Sequence, residues 1–136
     1  GARTPTLGAK EVSMVWIVAA HAGTVEVTLS DVRGETGEIR CAVWSADSGF
    51  PETGFLREVV VPARTGACEM EMPDGPFAVA AFHDADGDGR LAKNLLGIPR
   101  EGVAVSNNAH RTFGPPRFAD CVVPAGTTKL SLGMVY

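Results

Sequence analysis

The chain has no surplus of positive charge. Its 136 residues include 12 Lys and Arg against 16 Asp and Glu, which gives a formal net charge of -4. The basic residues are scattered rather than clustered. Because a nucleic-acid-binding protein needs a basic field to collect phosphate groups, we predict no nucleic-acid partner.

Long apolar runs are also missing. The apolar stretch over residues 14–20 is far shorter than the roughly 20 residues that a bilayer-spanning helix requires. We therefore predict no membrane span.

The common catalytic motifs are absent as well. The sequence contains no Gly-x-Ser-x-Gly, no His-Glu-x-x-His, no P-loop and no dinucleotide fingerprint. We predict that the chain is not an enzyme, and we assign no catalytic residue.

Cysteine is scarce and widely spaced. Cys41, Cys68 and Cys121 form no Cys-x-x-Cys pair and have no neighbouring His pair, which argues against a zinc site. Two interpretations stay open. Either one disulfide and one free thiol form in an oxidising compartment, with the pairing undetermined, or all three are reduced and buried as small hydrophobic residues.

What the chain does contain is strand-like alternation broken by turns. Its 16 glycines and 9 prolines suit many short connections. Alternating or continuous apolar patterns predict seven strands, near residues 24–29, 39–44, 55–61, 68–72, 77–82, 118–123 and 130–134. We predict an all-β fold, a single seven-stranded antiparallel Greek-key sandwich of transthyretin or immunoglobulin type, with the first two strands paired.

The domain boundaries follow from length and pattern. A chain of 136 residues is too short for two independent cores, so residues 23–136 are predicted to form a single domain. Residues 1–22 are predicted to be an N-terminal extension or a signal-like segment, because a short apolar run ends there in Ala20-His21-Ala22. The alternative is an ordinary N-terminal strand.

A long, glycine-rich and proline-rich loop is predicted before the last two strands, over residues 83–116. It opens on an acidic sequence that matches the first half of a calcium loop. The candidate metal ligands are Asp84, Asp86, Asp88 and the carbonyl of Arg90. Ala92 and Leu95 replace the ligands that would complete the shell, so Ca²⁺ binding is expected to be weak or absent. The alternative is a solvated Asp/Gly turn.

Other polar residues of the same loop are candidates for ligand binding. They are His83, Glu101, Ser106, Asn107, Asn108 and Arg111. The alternative is that such groups satisfy the backbone of a long loop, and a lone His is more often a structural hydrogen-bonding residue than a general base.

A series of short motifs in this loop has a recognisable order. They are His83-Asp84, Asp86-Gly87-Asp88-Gly89-Arg90-Leu91, Asn94, Leu96-Gly97-Ile98-Pro99-Arg100-Glu101-Gly102, Ser106-Asn107-Asn108-Ala109, and Phe113-Gly114-Pro115-Pro116 with Phe118. The series resembles the bacterial domain of unknown function 2141 family, DUF2141. The resemblance implies a small exported β-sandwich domain of the bacterial envelope, and it favours a periplasmic location and a disulfide. The family usually places Asp where this chain has Ala92.

These observations lead to a functional hypothesis. We expect a periplasmic or secreted, non-enzymatic module that binds an unknown protein or small molecule through the long loop, with Ca²⁺ as a candidate cofactor. One alternative is a small-molecule carrier or hydrolase with a cleft near His83. Another is a purely structural envelope domain, including a homodimer formed through edge strands.

Overall fold

The computed structural model describes residues 23–85, 102–112 and 114–136. The predictions for residues 1–22 and for Asp86, Asp88, Arg90 and Glu101 lie outside these ranges. The described residues are mostly β. The strands are β1 (Thr24–Ser30), β2 (Glu38–Trp44), β3 (Arg57–Pro62), β4 (Ala67–Glu71), β5 (Ala78–Asp84), β6 (Val103–Val105) and β7 (Lys129–Gly133). Short 3-10 turns cover Ala63–Thr65 and Ser106–Asn108, and a four-residue helix, α1, covers Phe118–Cys121.

The strands form two sheets, with the orders β4-β1-β7 and β3-β2-β5-β6. The prediction that β1 and β2 pair was therefore wrong, because the segment between them crosses from one sheet to the other. The prediction of purely antiparallel pairing was also wrong. β1 pairs antiparallel with β4 but parallel with β7, where Val27 lies opposite Leu130.

The core lies between the two sheets. The alternating residues of β1 point into it, as predicted, and Val25 and Val27 are completely buried. From the other sheet, Ile39 and Val43 of β2 and Val79 of β5 pack against them. Each sheet thus buries one face against the other, which is how two such layers share one hydrophobic core.

A disulfide crosses this core. It joins Cys41 of β2 to Cys68 of β4, and both residues are buried. Cys121 is a free thiol. The interpretation with one disulfide and one free thiol is thus confirmed, and the interpretation with three reduced cysteines was wrong.

The outer face of the four-stranded sheet carries a second apolar cluster, and this corrects the strand predicted over residues 118–123. Residues 118–121 form α1 instead. Phe118 and Cys121 are three positions apart, so the helix places them on one face. That face packs on the sheet, where Phe118 meets Phe50 with ring centroids 5.8 Å apart and Cys121 is completely buried. The number of strands is still seven, because β6 forms inside the segment that was predicted to be an irregular loop.

Hydrogen bonds link the edges of the two sheets. Val103 of the edge strand β6 and Val135, which follows the edge strand β7, exchange two backbone hydrogen bonds, each 2.9 Å long. At the opposite edge, the Arg57 side chain of β3 donates to the Glu71 carbonyl of β4 at 2.8 Å. Both pairs of neighbouring edges are therefore linked by hydrogen bonds.

Within the described ranges, no helix is long and apolar enough to cross a bilayer.

The disulfide closes a long segment, and its removal should be measurable. The two cysteines are 27 residues apart, so the chain-entropy model predicts a loss of about 3.5 kcal/mol in the free energy of unfolding for Cys41→Ala/Cys68→Ala. Chemical denaturation measures this loss. The matched control is Cys121→Ala, which removes a buried thiol but keeps the disulfide and should cost about 1 kcal/mol. Equal destabilisation by the two variants would contradict the cross-sheet role.

Candidate functional site

His83 is buried at the end of β5 and belongs to a chain of hydrogen bonds. Its Nε2 lies 2.7 Å from the carbonyl oxygen of Thr36, and its Nδ1 lies 2.8 Å from the hydroxyl of Tyr136. Because a carbonyl only accepts, Nε2 must carry a proton, and in a neutral imidazole Nδ1 then accepts from the Tyr136 hydroxyl. The same hydroxyl oxygen accepts the backbone N–H of Arg33 at 2.8 Å. The network is satisfied by a neutral imidazole.

This network fixes the position of Tyr136. A methyl group added at Gly102 would lie 2.5 Å from the Tyr136 ring, so only glycine lets the ring pack this closely. The guanidinium of Arg33 lies over the ring, 4.7 Å from its centroid, in a cation–π contact. Tyr136 is therefore held by His83, Arg33 and Gly102 together.

A surface depression opens beside Tyr136. Its volume is about 480 Å³, and it is lined by Asp31, Val32, Arg33, Met134, Val135 and Tyr136. We refer to it as the terminal depression. Its two walls come from distant parts of the sequence, and the backbone N–H of Met134 joins them by donating to the carbonyl of Ser30 at 2.9 Å. The parallel pairing of β1 with β7 brings these walls together.

The terminal depression combines charge with apolar surface. Asp31 and Arg33 are exposed, and no ion pair joins either of them to another of the described residues. Val135 is 52% exposed and adds apolar surface beside these charges. The site thus offers a cation, an anion and an apolar surface to one small molecule. No local motif marks these residues, because they meet only through β1–β7 pairing, and the site is therefore not predictable from the sequence.

Ser106 is not part of the same cleft as His83. Its buried hydroxyl accepts the backbone N–H of Val79 at 3.0 Å and donates to the carbonyl of Cys121 at 2.6 Å. Val79 precedes His83 by four residues in β5. The Ser106 hydroxyl, which binds the Val79 backbone, is therefore about 13 Å along the strand from His83. His83, Asp84 and Ser106 therefore do not converge on one point.

Asn107 and Asn108 bind backbone groups of neighbouring elements. Both have left-handed backbone angles, with φ of 62° and 50°, a conformation that asparagine tolerates better than most residues. The Asn107 amide donates to the carbonyls of Asp120 and Val122 at 3.1 and 3.0 Å, and Asn108 Oδ1 accepts the N–H of Gly133 at 2.9 Å. The pair connects α1 and β7.

Arg111, the last of the described ligand-binding candidates, lies nearby on the surface. Its guanidinium donates to the carbonyl of Pro115 at 3.3 Å. All five of the described candidates, His83, Ser106, Asn107, Asn108 and Arg111, thus have backbone partners. His83 adjoins the terminal depression through Tyr136, and Asn108 adjoins it through Gly133.

Asp84, the first predicted metal ligand, is completely buried on the outer face of the four-stranded sheet. Its Oδ2 accepts a hydrogen bond from Arg40 Nε at 3.2 Å. Arg40 also lies 3.3 Å from Glu58 and 3.5 Å from Glu38. Burial lowers the pKa of Arg40, but the hydrogen bond to Asp84 and the three carboxylate charges outweigh it and raise that pKa overall. A protein cation therefore already neutralises Asp84.

Two further observations bear on metal and thiol chemistry. In the described part of the chain, no three His, Cys, Asp or Glu residues are grouped so as to hold a metal ion. Burial, and to a smaller extent the charge of Asp120, raises the pKa of the Cys121 thiol to about 11. Because the thiolate is the nucleophile and the metal ligand, Cys121 is inert at neutral pH.

The comparisons with known proteins point to one family. No curated protein and no solved structure is significantly similar to the chain. A family model described as "Uncharacterized protein conserved in bacteria (DUF2141)" matches residues 27–132. The match covers most of the chain, from β1 into β7, and confirms the resemblance carried by the loop motifs. The chain therefore belongs to the DUF2141 family.

Proposed function

We propose that this chain is a non-enzymatic binding domain that works outside the bacterial cytoplasm, in the periplasm or after secretion. The cross-sheet disulfide between Cys41 and Cys68 is the observation that carries the location. Disulfides persist in oxidising compartments and are rare in the reducing cytosol. The signal-like pattern of residues 1–22 agrees with export.

The terminal depression supports the binding role. It is concave, and it combines the charges of Asp31 and Arg33 with the exposed side chain of Val135. Ligand sites of this kind present a few fixed polar groups beside an apolar surface. The depression also lies next to His83, so a small-molecule carrier is the form of binding domain that we favour.

The hydrolase alternative has less support. Nucleophilic catalysis needs a nucleophile within hydrogen-bonding distance of its base. The Ser106 hydroxyl and both His83 nitrogens are bound to protein groups, at positions about 13 Å apart along β5.

A purely structural, edge-paired domain also has less support. Strand addition requires free backbone groups at a sheet edge. The Val103–Val135 bridge and the contact from Arg57 to Glu71 occupy part of both edge regions.

We also propose a transthyretin-like arrangement for the two sheets. In the immunoglobulin order the first two strands share a sheet. Here β1 and β2 lie in different sheets and β1 runs parallel to β7, which favours the transthyretin alternative.

A calcium site in the Asp-Gly loop would have to be weak. Asp84 is already paired with Arg40, and Ala92 and Leu95 occupy positions that normally complete the shell. We expect about 1 mM Ca²⁺ to stabilise the protein by less than about 1 kcal/mol relative to a chelator, which corresponds to a dissociation constant in the millimolar range.

Thermal melting of two variants tests this assignment of Asp84. Arg40→Met removes the counterion of a buried carboxylate and should cost about 3 kcal/mol, equally in Ca²⁺ and in chelator. Asp84→Asn should likewise show no dependence on calcium. Glu58→Gln is the matched control, since this exposed partner should contribute less than about 1 kcal/mol. A large stabilisation by Ca²⁺ that Asp84→Asn abolishes would make Asp84 a metal ligand instead.

Export is tested directly by expressing residues 1–136 after an initiator Met in a bacterial host. We expect cleavage after Ala22, so that mass spectrometry of the periplasmic protein finds Gly23 as the first residue and Cys41 joined to Cys68. The control is Ala20→Lys, which removes the small residue from the Ala-x-Ala pattern and should block cleavage. Uncleaved cytoplasmic protein with three free thiols would contradict the assignment of residues 1–22 as a cleaved signal segment.

A further inference from the structure

We propose that the terminal depression binds a free α-amino acid with an apolar side chain. This inference rests on the proposed function and names the class of ligand. It follows from the charges on the two walls, the apolar surface between them and the way Tyr136 is held.

The two charges define the polar part of the ligand. Arg33 and Asp31 are two residues apart, and both line the depression. Neither forms an ion pair within the described ranges, so each is available to a ligand. A guanidinium binds a carboxylate with two parallel hydrogen bonds, and a carboxylate binds an ammonium group. A molecule that carries both groups on one carbon matches this arrangement.

The presence of Asp31 also disfavours other anions. A phosphate or a dicarboxylate bound at Arg33 would meet the like charge of Asp31 in the same depression, which weakens its binding. A zwitterion neutralises both walls. The charge pattern therefore selects an amino acid over a simple carboxylate or a phosphate.

The apolar part of the ligand is set by the remaining lining. Val135 supplies most of it, because its side chain is 52% exposed, whereas Met134 is buried in the core and Val32 is partly buried against that core. Covering the Val135 side chain with a branched aliphatic group removes apolar surface from water, which is favourable. The volume of about 480 Å³ lies within the usual range for small-molecule sites.

Contacts within the protein hold the Arg33 side chain in place. The Arg33 guanidinium is stacked on the Tyr136 ring, and that ring is held by the hydroxyl contacts to His83 and to the Arg33 N–H. A cation–π contact leaves the edge of the guanidinium plane free to donate hydrogen bonds. The donors are thus presented with little loss of side-chain freedom on binding, and this lowers the entropic cost of binding.

The test uses L-leucine as the probe and NMR spectra of the ¹⁵N-labelled full chain at low salt. We expect saturable shifts of the backbone amides of residues 31–33 and 133–136 at millimolar leucine. Two analogues lack one charge each. 4-Methylpentanoate has no ammonium group and 3-methylbutylamine has no carboxylate, and each should bind at least about fivefold more weakly, because one ion pair is lost.

Variants assign the charges to residues. Arg33→Gln and Asp31→Asn should each weaken leucine binding at least about fivefold, since an ionic contact is lost in both. Arg117→Gln is the matched control, because it removes an exposed arginine beside α1, at the other end of β5, and should leave affinity unchanged. The spectra themselves report whether each variant is folded, and Val135→Glu provides a second test through like-charge repulsion of the carboxylate.

Three results would overturn the proposal. They are the absence of localised shifts at saturating leucine, unchanged binding in Arg33→Gln, and equal binding of 4-methylpentanoate. None of them affects cleavage after Ala22 or the disulfide in the exported protein. A wrong ligand class can therefore be distinguished from a wrong cellular location.

Discussion

The disulfide between Cys41 and Cys68 is the constraint on which the rest of the structure depends, because it joins two sheets that otherwise meet mainly through side chains. The net stability of a domain is a small difference between large opposing terms, so one covalent link within the core adds a substantial part of it. The disulfide lies in the core, where β2 faces β4, and it lowers the conformational entropy of the unfolded chain. With the sheets held in this relation, the β1–β7 pairing and the Val103–Val135 bridge can place Tyr136 against the segment after β1.

The polar residues of the long loop solve a different problem. A segment with little regular structure leaves backbone groups without partners, and each buried one is costly. Ser106 resolves this at β5 by accepting from one backbone group and donating to another. Asn107 donates to carbonyls at α1, and Asn108 accepts a backbone N–H of β7. Their left-handed angles turn the chain so that three consecutive side chains reach three elements. A motif dense in polar side chains can therefore reflect backbone geometry rather than ligand chemistry.

Most of the strands could be predicted from the sequence, because a strand with one face in the core must alternate. The pattern of β1 and β4 shows this directly. β6 was missed because three residues are too few to show a period, and α1 was mistaken for a strand because one helical turn and a short strand both place apolar residues near each other. The pairing of cysteines and the terminal depression could not be predicted, since both depend on which strands become neighbours.

The buried His83 is explained by its two hydrogen-bond partners, Thr36 and Tyr136, which long-range strand pairing brings to it from distant parts of the chain. An apolar residue at position 83 would satisfy the core but would leave the Thr36 carbonyl and the Tyr136 hydroxyl without their partners. A neutral imidazole donates to one and accepts from the other, and no aliphatic side chain can do either. His83 thus connects the β1–β2 crossover, β5 and the residues after β7 in one arrangement, because shifting any of the three breaks a buried hydrogen bond. The position of Arg33 over the Tyr136 ring is a consequence of that arrangement, so the geometry of the terminal depression is determined from within the core.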